Sequence, residues 1–142
     1  MTVENQQDID GILRIGQVVA RVRDAMLTAI EPGITTAELD AIGAQLLDKY
    51  EARSAPRVTY NFPGATCISI NEEAAHGIPG ARVIKAGDIV NVDVSAEKGG
   101  YFADTGGSIV VPPVTAEKSR LCEATRLALK QAINEARAGA RA

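Results

Sequence analysis

The first apolar pattern along the chain has the period of an α-helix. Apolar residues recur three and four positions apart and fall on one helical face, which carries Ile12, Ile15, Val19, Val22, Met26 and Ile30. Pro32 and Gly33 follow and predict the end of this helix. The residues before the stripe are polar and acidic, so we expect residues 1–10 to be flexible.

Two further helices are predicted from similar signals. Thr35 and Glu38 have the spacing of a capping box, in which each side chain accepts a hydrogen bond from the other residue's backbone amide. The buried positions of this second helix are Leu39, Ile42, Leu46 and Leu47. A third helix is predicted over residues 116–136, with an apolar side formed by Leu121, Thr125, Ala128, Leu129 and Ala132.

The segment from Val58 onward has a pattern typical of an antiparallel sheet. Short apolar runs are separated by Gly, Pro and Asn, which mark turns. Residues 66–70 and 88–95 alternate between polar and apolar side chains, as half-buried strands do. The polar face of the second strand carries Asn91, Asp93 and Ser95. Chemistry is therefore expected on that face.

The first and third helices resemble each other in sequence. A shift of 106 positions places four residues of the first helix and its turn, Arg14, Ile15, Leu27 and Gly33, on Arg120, Leu121, Ile133 and Gly139. The match is weak, and it indicates either an internal repeat or two amphipathic helices that are alike by chance. In a true repeat, the first copy continues into a second helix and a sheet, whereas the second copy stops just after Gly139.

Composition narrows the class of protein. The 142 residues are 46% hydrophobic, which is enough for a single domain over 1–142 with its own core. Lys and Arg total 15 against 18 Asp and Glu, so no basic excess favours nucleic acid as a partner. Two distant cysteines, a polar N-terminus and the lack of an apolar run of ~20 residues predict a cytoplasmic protein without a membrane span.

Two aspartates flank a predicted hairpin. A two-residue turn at Lys98 and Gly99 pairs Asp93 directly with Asp104 on one face. Like charges in that position are destabilising. A divalent cation between the carboxylates would remove the repulsion, and a shared proton would serve an acid–base site instead. The simplest alternative is a surface hairpin with two solvated carboxylates.

His76 is the only histidine of the chain and lies in a stretch bounded by Gly and Pro. A single imidazole cannot form a zinc site, so the functional hypothesis is a role in substrate contact or proton transfer. The alternative is an exposed loop histidine without a role.

Four motifs occur together in this order: Cys-Ile-Ser-Ile-Asn-Glu at 67–72, His-Gly-Ile-Pro at 76–79, Gly-Asp-Ile-Val-Asn-Val-Asp-Val at 87–94, and Asp-Thr at 104–105. The ordered set resembles the type I methionine aminopeptidases over nearly the whole chain. The resemblance implies an α+β architecture, half of a pita-bread fold, with an antiparallel β-sheet and helices packed on one face. In that fold, two halves related by a pseudo-twofold enclose a dinuclear metal centre.

The resemblance also implies roles for individual residues. Asp93 would ligate one metal ion and Asp104 would bridge two, whereas His76 would contact the substrate and assist proton transfer. The pocket for the methionine side chain would include Phe62, Cys67 and Thr59, although the family commonly has an aromatic ring at the position of Thr59. The cofactors would be two divalent ions, and the sequence does not distinguish among Co, Mn, Fe, Zn and Ni.

The implied function is removal of the initiator methionine from the N-terminal methionyl peptides of nascent proteins. Family members supply a further histidine ligand, two glutamate ligands and a second substrate histidine from a segment that would follow Ala142. We therefore expect an incomplete ligand set, weak activity of the chain alone, and either a missing C-terminal half or self-association. The alternatives are a non-catalytic module that binds peptides or proteins, and a relative of the X-Pro peptidases.

Overall fold

The computed structural model describes residues 2–141, so Met1 and Ala142 of the predicted domain 1–142 lie outside the described residues. Along this part of the chain the helices and strands follow in the order α1 (Gln6–Ala29), α2 (Thr36–Lys49), β1 (Arg53–Ser54), α3 (Ala55–Tyr60), β2 (Cys67–Ile70), β3 (Ile89–Lys98), β4 (Tyr101–Val110) and α4 (Ala116–Glu135). None of the helices within residues 2–141 combines the length and the apolar character that a bilayer span requires.

The first predicted helix is confirmed as α1. It begins at Gln6, where the Asn5 side chain caps it by accepting a hydrogen bond from the amide of Asp8 at 3.1 Å. Its first turns therefore include residues 6–10 of the segment expected to be flexible, and the flexibility of that segment stays a prediction. Four positions of the apolar stripe are at most 1% exposed, namely Ile15, Val19, Val22 and Met26.

The capping box at the start of α2 is also confirmed. The Thr35 amide donates to the Glu38 carboxylate at 2.8 Å, and the Glu38 amide donates to the Thr35 hydroxyl at 3.1 Å. Leu39 and Leu47 are fully buried, whereas Ile42 and Leu46 are half-buried at the edge of the same stripe.

Strand β3 organises the antiparallel sheet. It pairs with β4 along one side, and with β2 and then β1 along the other. Its side chains alternate as predicted, and the apolar face packs against α1 and α2 to form the core. The core residues that β3 contributes are Val90, Val92, Val94 and Ala96, each 0% exposed.

The predicted hairpin register is wrong by two residues. The turn lies at Gly99 and Gly100, which have φ of 62° and 88°, so Asp93 pairs with Gly106 and Asp104 with Ser95. A two-residue hairpin turn of this type needs positive φ at both central positions, and two glycines meet that need better than a lysine and a glycine. The shift by two preserves the face of each side chain, so the two aspartates still share the polar face.

The interpretation of the chain from Val58 onward as sheet is also wrong at its start, because Val58 lies in the short helix α3. The Ser54 hydroxyl caps α3 by accepting from the Arg57 amide at 3.4 Å, and Pro56 occupies its first turn. Asn61 ends it in the left-handed conformation, with φ of 54°. This helix lies beside the polar face of the sheet, opposite α1 and α2.

The third predicted helix is confirmed as α4, and its end repeats the end of α1. In α1 the Ile30 amide donates to the carbonyl of Leu27 at 3.4 Å, and in α4 the Ala136 amide donates to the carbonyl of Ile133 at 3.2 Å. Gly33 and Gly139 follow in turns with φ of 104° and 87°. The same offset of 106 residues therefore relates the two helix ends in conformation as well as in sequence.

Candidate active site

A cleft of about 890 Å³ lies on the polar face of the sheet, between α3 and the β3–β4 hairpin. All six residues that the resemblance implicates line it, namely Thr59, Phe62, Cys67, His76, Asp93 and Asp104. They come from one helix, three strands and two loops, so only the folded chain brings them together.

Asp93 is the half-buried carboxylate of this cleft. Its Oδ1 atom is buried and has no hydrogen-bond partner within residues 2–141. Burial raises the pKa of Asp93 above its ordinary range, the charge of Asp104 raises it further, and His76 lowers it. The charged form of Asp93 is therefore poorly compensated and would gain from a cation.

Asp104 lies diagonally across the strand pair from Asp93 and is exposed. Ser95 is directly opposite Asp104, and its hydroxyl donates a hydrogen bond to the Oδ1 atom of Asp104. Two carboxylates on one face suit a hard divalent cation, and the unpartnered oxygen of Asp93 points to the same ligand class. Within residues 2–141, no group of three or more His, Cys, Asp or Glu side chains is arranged to hold a metal.

Cys67 forms part of the apolar floor beside Asp93, its partner across the β2–β3 pair. Burial and the charges of Asp93, Asp104 and Asp40 raise the pKa of the Cys67 thiol to about 11. The thiol is therefore neutral near pH 7 and acts as a small apolar surface.

A buried aspartate fixes the backbone that leads into Cys67. Asp40 of α2 is 8% exposed, and its carboxylate accepts hydrogen bonds from the amides of Ala65 and Thr66 at 3.0 and 2.8 Å. The Thr66 hydroxyl donates to the same carboxylate at 2.7 Å. The floor of the cleft is thus attached to the helical layer on the other side of the sheet.

His76 projects into the cleft from the loop after β2. Its backbone is in the left-handed region with φ of 55°, and its side chain is exposed. The imidazole lines the cleft together with Asp93 and Asp104. It is therefore available to a ligand in the cleft.

Sequence reasoning missed the aromatic residues at the rim of the cleft. Tyr60 is 80% exposed and Phe102 is 54% exposed, and both line the cleft with Phe62. Phe102 could have been found, because it is two residues before Asp104 on a strand and so shares its face. Tyr60 gave no comparable signal, since α3 itself was not predicted.

Comparison with known proteins gives a consistent assignment. The profile of metallopeptidase family M24 matches residues 10–142. Methionine aminopeptidase 2 of Bacillus subtilis is 45% identical over 142 residues, covering 99% of this chain and 57% of the relative. Methionine aminopeptidase of Staphylococcus epidermidis is 47% identical over 140 residues, covering 98% of this chain and 56% of the relative.

A solved structure supports the same conclusion. The crystal structure of methionine aminopeptidase from Thermotoga maritima is similar with a TM-score of 0.89 and 29% identity, over 94% of this chain and 54% of that one. The chain thus spans about half the length of the curated relatives it matches. The predicted resemblance and the predicted fold class, half of a pita-bread fold, are both confirmed. The chain belongs to metallopeptidase family M24.

Proposed function

We propose that this chain provides the carboxylate side and the side-chain pocket of a cytoplasmic aminopeptidase that removes the initiator methionine from new polypeptides. The observation that carries the proposal is the position of Asp93 and Asp104 at the edge of an apolar cleft that also contains His76. The names of the relatives that match at 45% and 47% identity favour methionine over X-Pro substrates.

The walls of the cleft suit the side chain of methionine. Phe62 offers an aromatic surface, the neutral thiol of Cys67 offers a polarizable one, and Thr59 leaves more room than an aromatic ring would. A flexible thioether gains dispersion energy from such surroundings. Phe62, Cys67 and Thr59 are accordingly proposed as the residues that bind the methionine side chain.

Asp93 and Asp104 would hold the divalent metal ions that membership of a metallopeptidase family implies. A bound divalent ion would lower the pKa of a coordinated water and polarise the scissile carbonyl. The number of ions is proposed as two, with Co, Mn, Fe, Zn and Ni as candidates. The remaining ligands would come from outside residues 2–141, either from a C-terminal half or from a second copy.

His76 is proposed to contact the substrate at the scissile peptide. The imidazole lies in the same cleft as the two aspartates and is exposed. An imidazole can accept or donate a proton in general acid–base catalysis. Its proposed work is to orient the peptide and to exchange a proton with the leaving nitrogen.

A second candidate function is a non-catalytic module that binds peptide N-termini. The observation in its favour is the partial ligand set among residues 2–141. Such a module would bind a methionyl peptide without metal, whereas the proposed peptidase needs metal to act.

Calorimetric titration with Mn²⁺ and a peptide-cleavage assay test the proposal. Two carboxylates are few ligands for a hard cation, so we expect weak Mn²⁺ binding and slow release of methionine from Met-Ala-Ser. Asp93→Asn and Asp104→Asn should each weaken Mn²⁺ binding by more than about tenfold. Ser108→Ala, on the same face of β4, is the matched control and should leave binding unchanged.

Three results would contradict the proposal. Mn²⁺ binding that is indifferent to both aspartate substitutions would place the metal elsewhere. Faster cleavage of Ala-Pro than of Met-Ala-Ser would favour an X-Pro peptidase. Metal-independent binding of Met-Ala-Ser without cleavage would favour the binding module.

A further inference from the structure

The loop that carries His76 is anchored to the protein on both sides of the histidine. Before it, the Glu73 carboxylate accepts from the Ile70 amide at 2.7 Å and from the Arg82 guanidinium at 2.6 Å. After it, the Gly80 amide donates to the Thr36 hydroxyl at 2.9 Å, at the start of α2. These contacts fix the ends of the loop to the sheet and to the helical layer.

A third anchor lies next to the histidine itself, at Gly77. The Ile68 amide donates to the carbonyl of Gly77 at 3.0 Å, and the Gly77 amide donates to the Ser69 hydroxyl at 3.1 Å. A Cβ atom on Gly77 would lie 2.1 Å from the carbonyl oxygen of Ile68, which is closer than any side chain could approach. The backbone of Gly77 therefore packs directly against β2, at a position where only glycine fits.

The serine of this anchor is buried and faces the cleft side of the sheet. Ser69 is 3% exposed, and it lies two residues from Cys67 on the same face of β2. Its hydroxyl is covered by the loop, so its hydrogen bond to Gly77 is shielded from water and strengthened. The position of Ser69 sets the distance between the His76 loop and the floor of the cleft.

The histidine combines a fixed backbone with a free side chain. Its φ of 55° is rare for a residue other than glycine and persists only when surrounding contacts impose it. The Gly77 anchor directly after His76 holds the adjacent backbone in place. The imidazole is exposed to the cleft, so only its side-chain torsions remain to be ordered by a ligand.

We propose that Ser69 and Gly77 are positioning residues that hold His76 in place for the peptide before the peptide binds. This inference rests on the proposed function of the cleft. A preformed backbone reduces the ordering required on binding, and small displacements of a reacting group lower rates steeply. The backbone of His76 is thus held rigidly against β2, and it does not belong to a loop that becomes ordered only on binding.

Nuclear magnetic resonance tests the proposal without a metal, because the chain has one histidine and its imidazole gives one isolated signal. In the wild-type chain, backbone order parameters at His76 and Gly77 should be near 0.85. Ser69→Ala should lower them below about 0.6 and sharpen the imidazole signal, whereas Ser69→Thr, which keeps the hydroxyl, should restore both. Ser108→Ala removes a hydroxyl from the same face away from the loop and is the matched control.

Gly77→Ala is expected to displace the loop further, and the two Ser69 variants keep the test decisive if Gly77→Ala does not fold. The proposal would be overturned if wild type and Ser69→Ala had equal backbone order parameters at His76 and equal unfolding midpoints. Low backbone order parameters at His76 in the wild-type chain would also overturn the proposal.

Where wild type cleaves Met-Ala-Ser, Ser69→Ala should lower kcat by about 10- to 100-fold with little change in KM. Absence of any response to methionyl peptides would refute the proposed function, and the order parameters would still test the anchor.

Discussion

At the scale of single residues, Glu97 connects three parts of the sheet. It is 4% exposed at the end of β3, where its carboxylate accepts hydrogen bonds from the Arg53 guanidinium and from the Gly100 amide, both at 2.7 Å. The hydrogen bond from Arg53 lowers the pKa of Glu97, and the Gly100 amide lowers it further. One carboxylate thus joins β1 to β3 and closes the hairpin turn that orients Asp104.

Replacement of this carboxylate should cost stability in a manner that depends on pH. The folded-state pKa of Glu97 is below its ordinary value of about 4.3, so its stabilisation is complete above that value and is lost as pH falls through the folded-state pKa. Glu97→Gln should lower the free energy of unfolding by about 1 to 3 kcal/mol at pH 7. The difference from wild type should shrink below about pH 4.

Urea denaturation at pH 7, 5 and 3 measures this difference. Glu31→Gln, an exposed substitution of the same chemistry, is the control and should have little effect at any of the three values. If Glu97→Gln lowers the free energy of unfolding equally at pH 3 and at pH 7, the effect comes from the shape of the side chain and not from its charge.

At the scale of elements, α1 makes the main contact between the helical layer and the sheet, and its two interior glycines have opposite surroundings. A Cβ atom on Gly11 would lie 2.4 Å from ring atoms of Tyr101. Among the described residues, no atom outside the local helix lies within 4 Å of a Cβ atom on Gly16. Gly11 therefore permits close packing on β4, whereas Gly16 has no packing reason to be glycine.

The two glycines should respond to alanine with opposite signs. Gly16→Ala should stabilise the chain by about 0.5 to 1 kcal/mol, because alanine is the better helix former and loses less backbone entropy on folding. Gly11→Ala has the same intrinsic gain, but the ring of Tyr101 must move, so we expect a net loss of about 1 to 3 kcal/mol. Thermal unfolding of both variants measures the difference, and shifts of the same sign would contradict the packing shown for Tyr101.

At the scale of the whole molecule, burial is distributed unevenly. The core lies between α1, α2 and the sheet, where Met26 and Leu39 are 0% exposed. Within the described chain, α4 has no buried residue, and Leu129 and Ile133 are 60% and 63% exposed. The predicted apolar side of α4 therefore exists as a pattern but is not covered by residues 2–141.

This distribution predicts two levels of stability in one chain. Amide hydrogen exchange should be fast throughout α4 and slow in α1 and β3, because α4 lacks buried contacts. Met26→Ala should cost about 2 to 5 kcal/mol, whereas Leu129→Ala should change the free energy of unfolding by less than about 0.5 kcal/mol. Slow exchange in α4, or a large effect of Leu129→Ala, would show that another surface covers this helix in solution.

The local secondary structure was largely determined by the sequence alone. The helices α1, α2 and α4, the capping box at Thr35 and the alternation along β3 depend on residues within a few positions of one another, so spacing predicts them. The ordered motifs also identified the family, since each motif is local. The face shared by Asp93 and Asp104 survived a wrong register because side-chain direction repeats every two residues.

The tertiary structure decided two kinds of feature. In the first kind, two local conformations are nearly equal in energy. The second kind depends on contacts between segments that are distant in sequence. Two overlapping dipeptides, residues 98–99 and 99–100, could form the hairpin turn, and the turn lies at the two glycines. The position of Tyr60 at the rim of the cleft and the anchor between Ser69 and Gly77 have no signal in local spacing. They form because chain segments far apart in sequence meet, and that meeting converts a set of motif residues into a cleft.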